Sequence, residues 1–128
     1  MRALKLVGMI LLMGIGGCYE GPPAPPEGLH PIADASLPIE EAQIPLISDA
    51  SHAFARREGM TIDGGRGSFG FVIRMRKANL DIVTANTADQ NTAFITAYDR
   101  GEPHDPLNVT VARRYIDTIK QRLAERAP

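Results

Sequence analysis

Phe69-Gly70-Phe71-Val72-Ile73-Arg74-Met75-Arg76-Lys77-Ala78-Asn79-Leu80-Asp81-Ile82-Val83-Thr84-Ala85 decides the fold of this chain. Phe69, Phe71, Ile73 and Met75 fall on one parity, and Gly70, Val72, Arg74 and Arg76 on the other. Successive side chains of a strand point to opposite faces, so this alternation predicts a strand with one buried face. Lys77-Ala78-Asn79 reads as a turn, and Leu80 to Ala85 as a returning strand with Leu80 and Ile82 on one face. With Ala78 and Asn79 as a two-residue turn, the antiparallel register sets Met75 opposite Ile82 and Arg76 opposite Asp81. Apolar then meets apolar, and charge meets opposite charge.

Toward the C-terminus, the polar stretch Asn86 to Asn91 leads to a third strand at about Thr92 to Tyr98. Its facing is open, because Phe94 and Tyr98 compete with Ala93, Ile95 and Ala97. After a loop from Gly101 to Pro106, Asp105-Pro106 has the character of an N-cap followed by proline in the first turn. Val111, Ala112, Tyr115, Ile116, Ile119 and Leu123 recur at helical spacing and predict a helix over 107–125.

Toward the N-terminus, Asp63-Gly64-Gly65 is hairpin-turn chemistry, which predicts only a short strand at Met60 to Ile62. Before it, Pro45, Leu46, Ile47, Ala50, Ala53 and Phe54 predict a helix over 45–58 that ends at Gly59. The expected fold is α+β: helix, an antiparallel three- to four-strand meander, and a C-terminal helix, with both helices on one face of the sheet. The other face carries Arg74, Arg76 and Asp81.

Outside this unit the composition changes. Residues 19–38 hold six of the ten prolines, and from Cys18 to Gln43 there are five acidic residues and no basic one. Proline at that density predicts a semi-rigid tether over 18–43, rising about 3 Å per residue, ahead of a domain over 44–128. Further upstream, Arg2 and Lys5 precede an uncharged run from Leu6 to Ile15, and then comes Cys18, the single cysteine of 128 residues. The run is shorter than the roughly 20 residues that cross a bilayer and has the charge layout of an export signal.

Ile15-Gly16-Gly17-Cys18 resembles the lipobox of bacterial lipoproteins. That resemblance implies a signal peptide over 1–17, cleavage before Cys18, and lipid attachment at Cys18 that anchors the domain to a membrane of the cell envelope. Tyr19 stands where lipoproteins retained at an inner membrane commonly carry aspartate. The resemblance therefore favours an outer membrane facing the periplasm in a cell that has one.

The remaining residues offer little chemistry. The folded part has twelve Lys and Arg against ten Asp and Glu, a balance too mild to indicate nucleic acid. His30, His52 and His104 are dispersed, and Ser51 and His52 are helix neighbours about 100° apart, so neither activates the other. No His or carboxylate spacing suggests a metal, and no cofactor motif is present. The glycine-rich run from Asp63 to Gly70 leads into a strand and not into a helix N-terminus, as a phosphate cradle requires. The expected function is a non-enzymatic binding or assembly module meeting an envelope protein or cell-wall partner through Arg74, Arg76 and the loop residue Arg66. The competing expectations are an envelope enzyme or inhibitor that uses a histidine or the Asp63 to Phe69 loop, and a structural spacer.

Overall fold

The computed structural model describes residues 29–67, 70–86 and 91–125. Cys18 and the signal peptide lie outside the described residues. Within them, the elements are strand β1 (Ala33–Pro38), a 3-10 turn (Glu41–Gln43), helix α1 (Ile44–Glu58), strands β2 (Thr61–Gly67), β3 (Gly70–Lys77), β4 (Leu80–Asn86) and β5 (Thr92–Asp99), and helix α2 (Pro106–Glu125). The five strands form one antiparallel sheet in the order β1-β5-β4-β3-β2. The chain is thus an α+β domain.

The β3–β4 hairpin has the register that the sequence predicts, Met75 with Ile82 and Arg76 with Asp81. Phe71, Ile73 and Met75 of β3, and Leu80 and Ile82 of β4, are buried on the face that receives the helices. On β5 the alanines decide the facing: Ala93, Ile95 and Ala97 enter the core. Phe94, Thr96 and Tyr98 therefore fall on the outer face. Small residues at 93 and 97 let helix α2 approach β5, which bulky Phe94 and Tyr98 would prevent.

Two expectations need correction. The segment 33–38 is not tether: it is β1, paired along β5 from Ala33↔Ala97 to Pro38↔Thr92. Prolines at 31 and 38 bracket the strand, and an edge strand tolerates proline where a central one does not. The domain therefore begins before Ile44, and the meander gains a fifth strand at its far edge. Second, Asp63-Gly64-Gly65 does not turn. Strand β2 continues through it to Gly67, with Gly64 opposite Ile73. Glycine permits a turn without requiring one, and here its missing side chain serves close strand approach. A Cβ at Gly64 would overlap the Val72 carbonyl oxygen and lie 2.8 Å from Ile73 Cα.

Helix α1 has Pro45 in its first turn and stops at Gly59, which takes the left-handed conformation at φ 70°. The Met60 amide donates to the Ala55 carbonyl at 2.8 Å, closing the helix in a Schellman arrangement. Lys77 Nζ donates to the Glu58 carbonyl at 2.8 Å, which puts a cation at the negative end of the helix dipole. The two helices are joined at the surface by Arg114 and Glu58. At the start of α2, the Leu107 amide donates to the Asp105 carboxylate at 2.9 Å, the expected cap.

Asp99, at the end of β5, holds that same helix start to the sheet. It accepts from the amides of Gly101 and Asp105, both at 2.8 Å, and from Asn108 Nδ2 at 3.0 Å. Burial alone would raise its pKa, but these donors and the nearby His104 outweigh it and hold the carboxyl below its ordinary 3.8. Asp99 therefore stabilises the fold above the ordinary aspartate range, and that contribution disappears as pH falls through its depressed folded value. Urea titrations from pH 6 downward, taken as about the neutral end of the window, should show part of the acid loss of stability missing in Asp99→Asn.

In the core, Tyr115 Oη lies 2.8 Å from Ser51 Oγ and 2.7 Å from Thr84 Oγ1, while Ser51 donates to the Ile47 carbonyl at 2.7 Å. Tyr115→Phe should lower stability by about 1–3 kcal/mol, because it leaves buried hydroxyls short of a partner. The urea midpoint should move at unchanged slope.

Candidate functional site

The face of the sheet away from the helices is where the sequence places Arg74 and Arg76. Strand register builds it in rows. Arg76, Asp81 and Tyr98 lie side by side on β3, β4 and β5, and the next row holds Arg74, Val83 and Thr96. No described helix covers this face. Its central side chains are nevertheless withdrawn from water: Asp81 is 2% exposed, and Val83, Ala85 and Tyr98 are buried. The accessible side chains lie on β3, where Val72 is 49% exposed and Arg76 is exposed, and on the flanking strands, where Asp34, Ser36, Thr61 and Asp63 are exposed.

The sequence pairs Arg76 with Asp81 as an exposed ion pair, and the structure corrects this. The two residues are opposite in register, but the carboxylate is buried and takes other partners. Arg100 Nη2 donates to Asp81 Oδ2 at 3.1 Å, and Arg74 Nε lies 3.5 Å from Oδ1. The Arg74 contact is electrostatic, since Arg74 Nε and Asp81 Oδ1 each lack a hydrogen-bond partner among the described residues. A carboxylate that deep needs compensating charge, and two half-exposed guanidiniums supply it. The Arg76 carbonyl accepts from Thr61 Oγ1 at 3.2 Å, while its side chain makes no ion pair or hydrogen bond among the described residues. The negative charge is felt at Tyr98, whose phenol is pushed up first by burial and then by Asp81 and Asp34.

Arg100 had no signal in the sequence. It lies 19 residues from Asp81, and only the β4–β5 register, with Leu80 opposite Asp99, brings the two strand ends together. The Arg100 amide also donates to the Asn79 carbonyl at 2.9 Å, which fixes the residue against the hairpin tip. Arg66 lies opposite Phe71 in the β2–β3 ladder rather than in a loop, and its side chain is outside the described residues.

The other residues of chemical interest stay apart. Ser51 points into the core toward Tyr115, while His52 is exposed with its Nδ1 2.9 Å from the Ser48 carbonyl. His104 is in the loop beside Asp99, and His30 precedes β1. Among the described residues, no three His, Cys, Asp or Glu side chains are grouped for a metal ion. No described helix is long and apolar enough to cross a membrane. No protein family, no curated protein and no solved structure matches this chain.

The two arginines of β3 should separate in a stability experiment. Asp81→Ala strands Arg74 and Arg100 beside a buried site and should cost about 1–3 kcal/mol. This is less than a fully buried pair, because both guanidiniums are partly in water. Arg76→Ser should change stability by no more than about 0.5 kcal/mol, as read from thermal or urea unfolding.

Proposed function

We propose that this chain is a bacterial envelope lipoprotein, anchored through lipid on Cys18, whose domain is a non-enzymatic binding or assembly module. The observation that carries the second half is the outer surface of β3. Val72, a half-exposed apolar side chain, sits in sequence two residues from Arg74 and four from Arg76, on the face that no described helix covers. An apolar contact with cations beside it suits an envelope protein or cell-wall partner bearing carboxylates next to an apolar group. Arg74 is held by Asp81, so its guanidinium is already positioned and little side-chain entropy is lost on contact. Among the described residues the Arg76 side chain has no partner, and it supplies the adjustable charge.

The lipid-anchor half rests on Ile15-Gly16-Gly17-Cys18 and the basic and apolar residues ahead of it. Buried acyl methylenes contribute about 0.8 kcal/mol each, so more than one chain on Cys18 keeps the module at the membrane surface.

Each half has its own experiment. Cys18→Ser should leave an unprocessed, longer species that is no longer retained as a lipoprotein, whereas an unchanged mature mass in the membrane fraction would overturn the anchor. A photo-reactive amino acid at position 72 in living cells should give one adduct of defined mass, weakened by Arg76→Glu. No adduct, or one indifferent to Arg76→Glu, would overturn the β3 surface as the contact.

A further inference from the structure

One end of the sheet is also the end at which the chain arrives from Cys18. Ala33 pairs with Ala97, Thr61 with Arg76 and Leu80 with Asp99, so the starts of β1, β2 and β4 lie beside the ends of β3 and β5. Just ahead of β1, the Ile32 amide donates to the Ala97 carbonyl at 2.8 Å. Helix α1 ends at the same place, because Lys77 Nζ at the end of β3 reaches the Glu58 carbonyl.

This end carries an excess of positive charge. Arg56 and Arg57 from the last turn of α1, and Arg76 and Lys77 from the end of β3, are all exposed. Arg57 lies over the Phe54 ring, 5.3 Å from its centroid, and Lys77 is held on the helix end, so two of the four are already positioned. The acids nearest them are balanced: Glu58 pairs with Arg114, Asp81 with Arg100 and Arg74, and Asp99 takes three donors at the start of α2. Asp34 and Asp63 stand one row further into the sheet, level with Arg74. Glu102 and the capping Asp105 belong to the loop between β5 and α2, which leaves the excess at the corner of α1 and β3. Among the described residues, the opposite end of the domain exposes Glu40, Glu41 and Glu125. The charge is thus polarised along the strands.

A lipid anchor on Cys18 ties the cationic end to a surface of phosphate headgroups. The ten residues 19–28 span at most about 35 Å, and the corner lies across the sheet from β1, at most four strand spacings or roughly 19 Å away. The arginines therefore come within reach of that surface. Guanidinium groups suit it, since their forked donors match phosphate oxygens. A few cations hold a free domain on anionic lipid only weakly. On a short leash the same contact is intramolecular, and the high effective concentration makes it sufficient.

We propose that the end of the domain bearing Arg56, Arg57 and Lys77, with Arg76 at its rim, docks on anionic phospholipid headgroups of the membrane that holds Cys18, so that the sheet stands end-on to the bilayer. This rests on the lipid anchor proposed above and not on the contact through β3. Val72, four residues before Arg76 on β3, then stands clear of the headgroups, and the Glu40 and Glu41 end points away from them.

The test uses the processed chain, purified from membranes with its lipid and placed in nanodiscs of phosphatidylcholine with or without phosphatidylglycerol. A small share of the lipid carries a paramagnetic headgroup. The amide signals of Gly59 and Asn79 report the docked end, and those of Glu40 and Glu41 the far end. With phosphatidylglycerol the first pair should be broadened well beyond the second. That contrast should fade in phosphatidylcholine alone and at about 1 M salt, where the screening length falls to about 3 Å. Arg56→Glu together with Arg57→Glu should lower the ratio of docked to free domain by about tenfold or more. Equal broadening at both ends, or a contrast that survives the double substitution, would overturn the docking. A contrast indifferent to lipid charge would also overturn it and turn the corner over to an acidic protein. The lipid and salt series use the native chain, so they stand even if the double variant fails to fold. The mass of the same sample reads Cys18: absence of acyl groups would overturn the anchor and the docking with it, whereas an acylated chain without the contrast overturns the docking alone.

Discussion

Three hydroxyl groups meet at the centre of this domain, and the packing of its layers depends on how they share their hydrogens. Ser51 belongs to α1, Tyr115 to α2 and Thr84 to β4, so the cluster ties both helices to each other and to the sheet. Because Ser51 spends its hydrogen on the Ile47 carbonyl, it must accept from Tyr115, which in turn accepts from Thr84. The chain of donors has one direction and every member is satisfied, the condition under which a buried polar network fixes a unique arrangement. Burial also pushes the Tyr115 phenol up, against the pull of its Ser51 and Thr84 hydrogen bonds, so the ring stays neutral. Its face packs against Phe54 at 5.1 Å between centroids, which adds a directional contact to the apolar one.

From that junction the sheet presents two different surfaces. On the inner one, alanines on β5 allow helix α2 to settle closely. On the outer one, a buried aspartate is held by Arg100 and Arg74, and among the described residues β3 offers an accessible mixture of apolar and cationic groups. Both surfaces arise from the same meander, since alternation along β2 and β3 sends Gly64 and Ile73 inward and Val72 and Arg74 outward. A small domain with one face under helices in this way presents two chemically distinct surfaces.

Sequence reading succeeded where side chains carry a period. The β3–β4 register followed from a turn of two residues and from charge and apolarity agreeing across it. The helix boundaries followed from Pro45, Gly59 and Asp105, whose backbone preferences are local. It failed where the period was hidden. In β2, glycines have no side chains to alternate, so turn chemistry outweighed pairing. In β1, prolines 31 and 38 made the whole segment resemble linker, although Ala33, Ala35 and Leu37 alternate between them on the face that packs toward the core. Such an edge strand is specified by the β5 neighbour it pairs with, not by its own composition.

The candidate surface was legible to the same extent. Arg74 and Arg76 could be assigned to the outer face from parity alone, but not which of them stands beside Asp81. The sequence by itself determined the class of fold, the central hairpin and both helices, because each follows from propensities and periods acting within some twenty residues, on the order of one supersecondary unit. Tertiary structure alone decided that Asp81 is buried and bound to Arg100, that Ser51 faces Tyr115, and that Gly64 lies against the β3 backbone. Those outcomes depend on which distant strand ends and helix faces meet, and no local pattern encodes a contact between residues 64 positions apart.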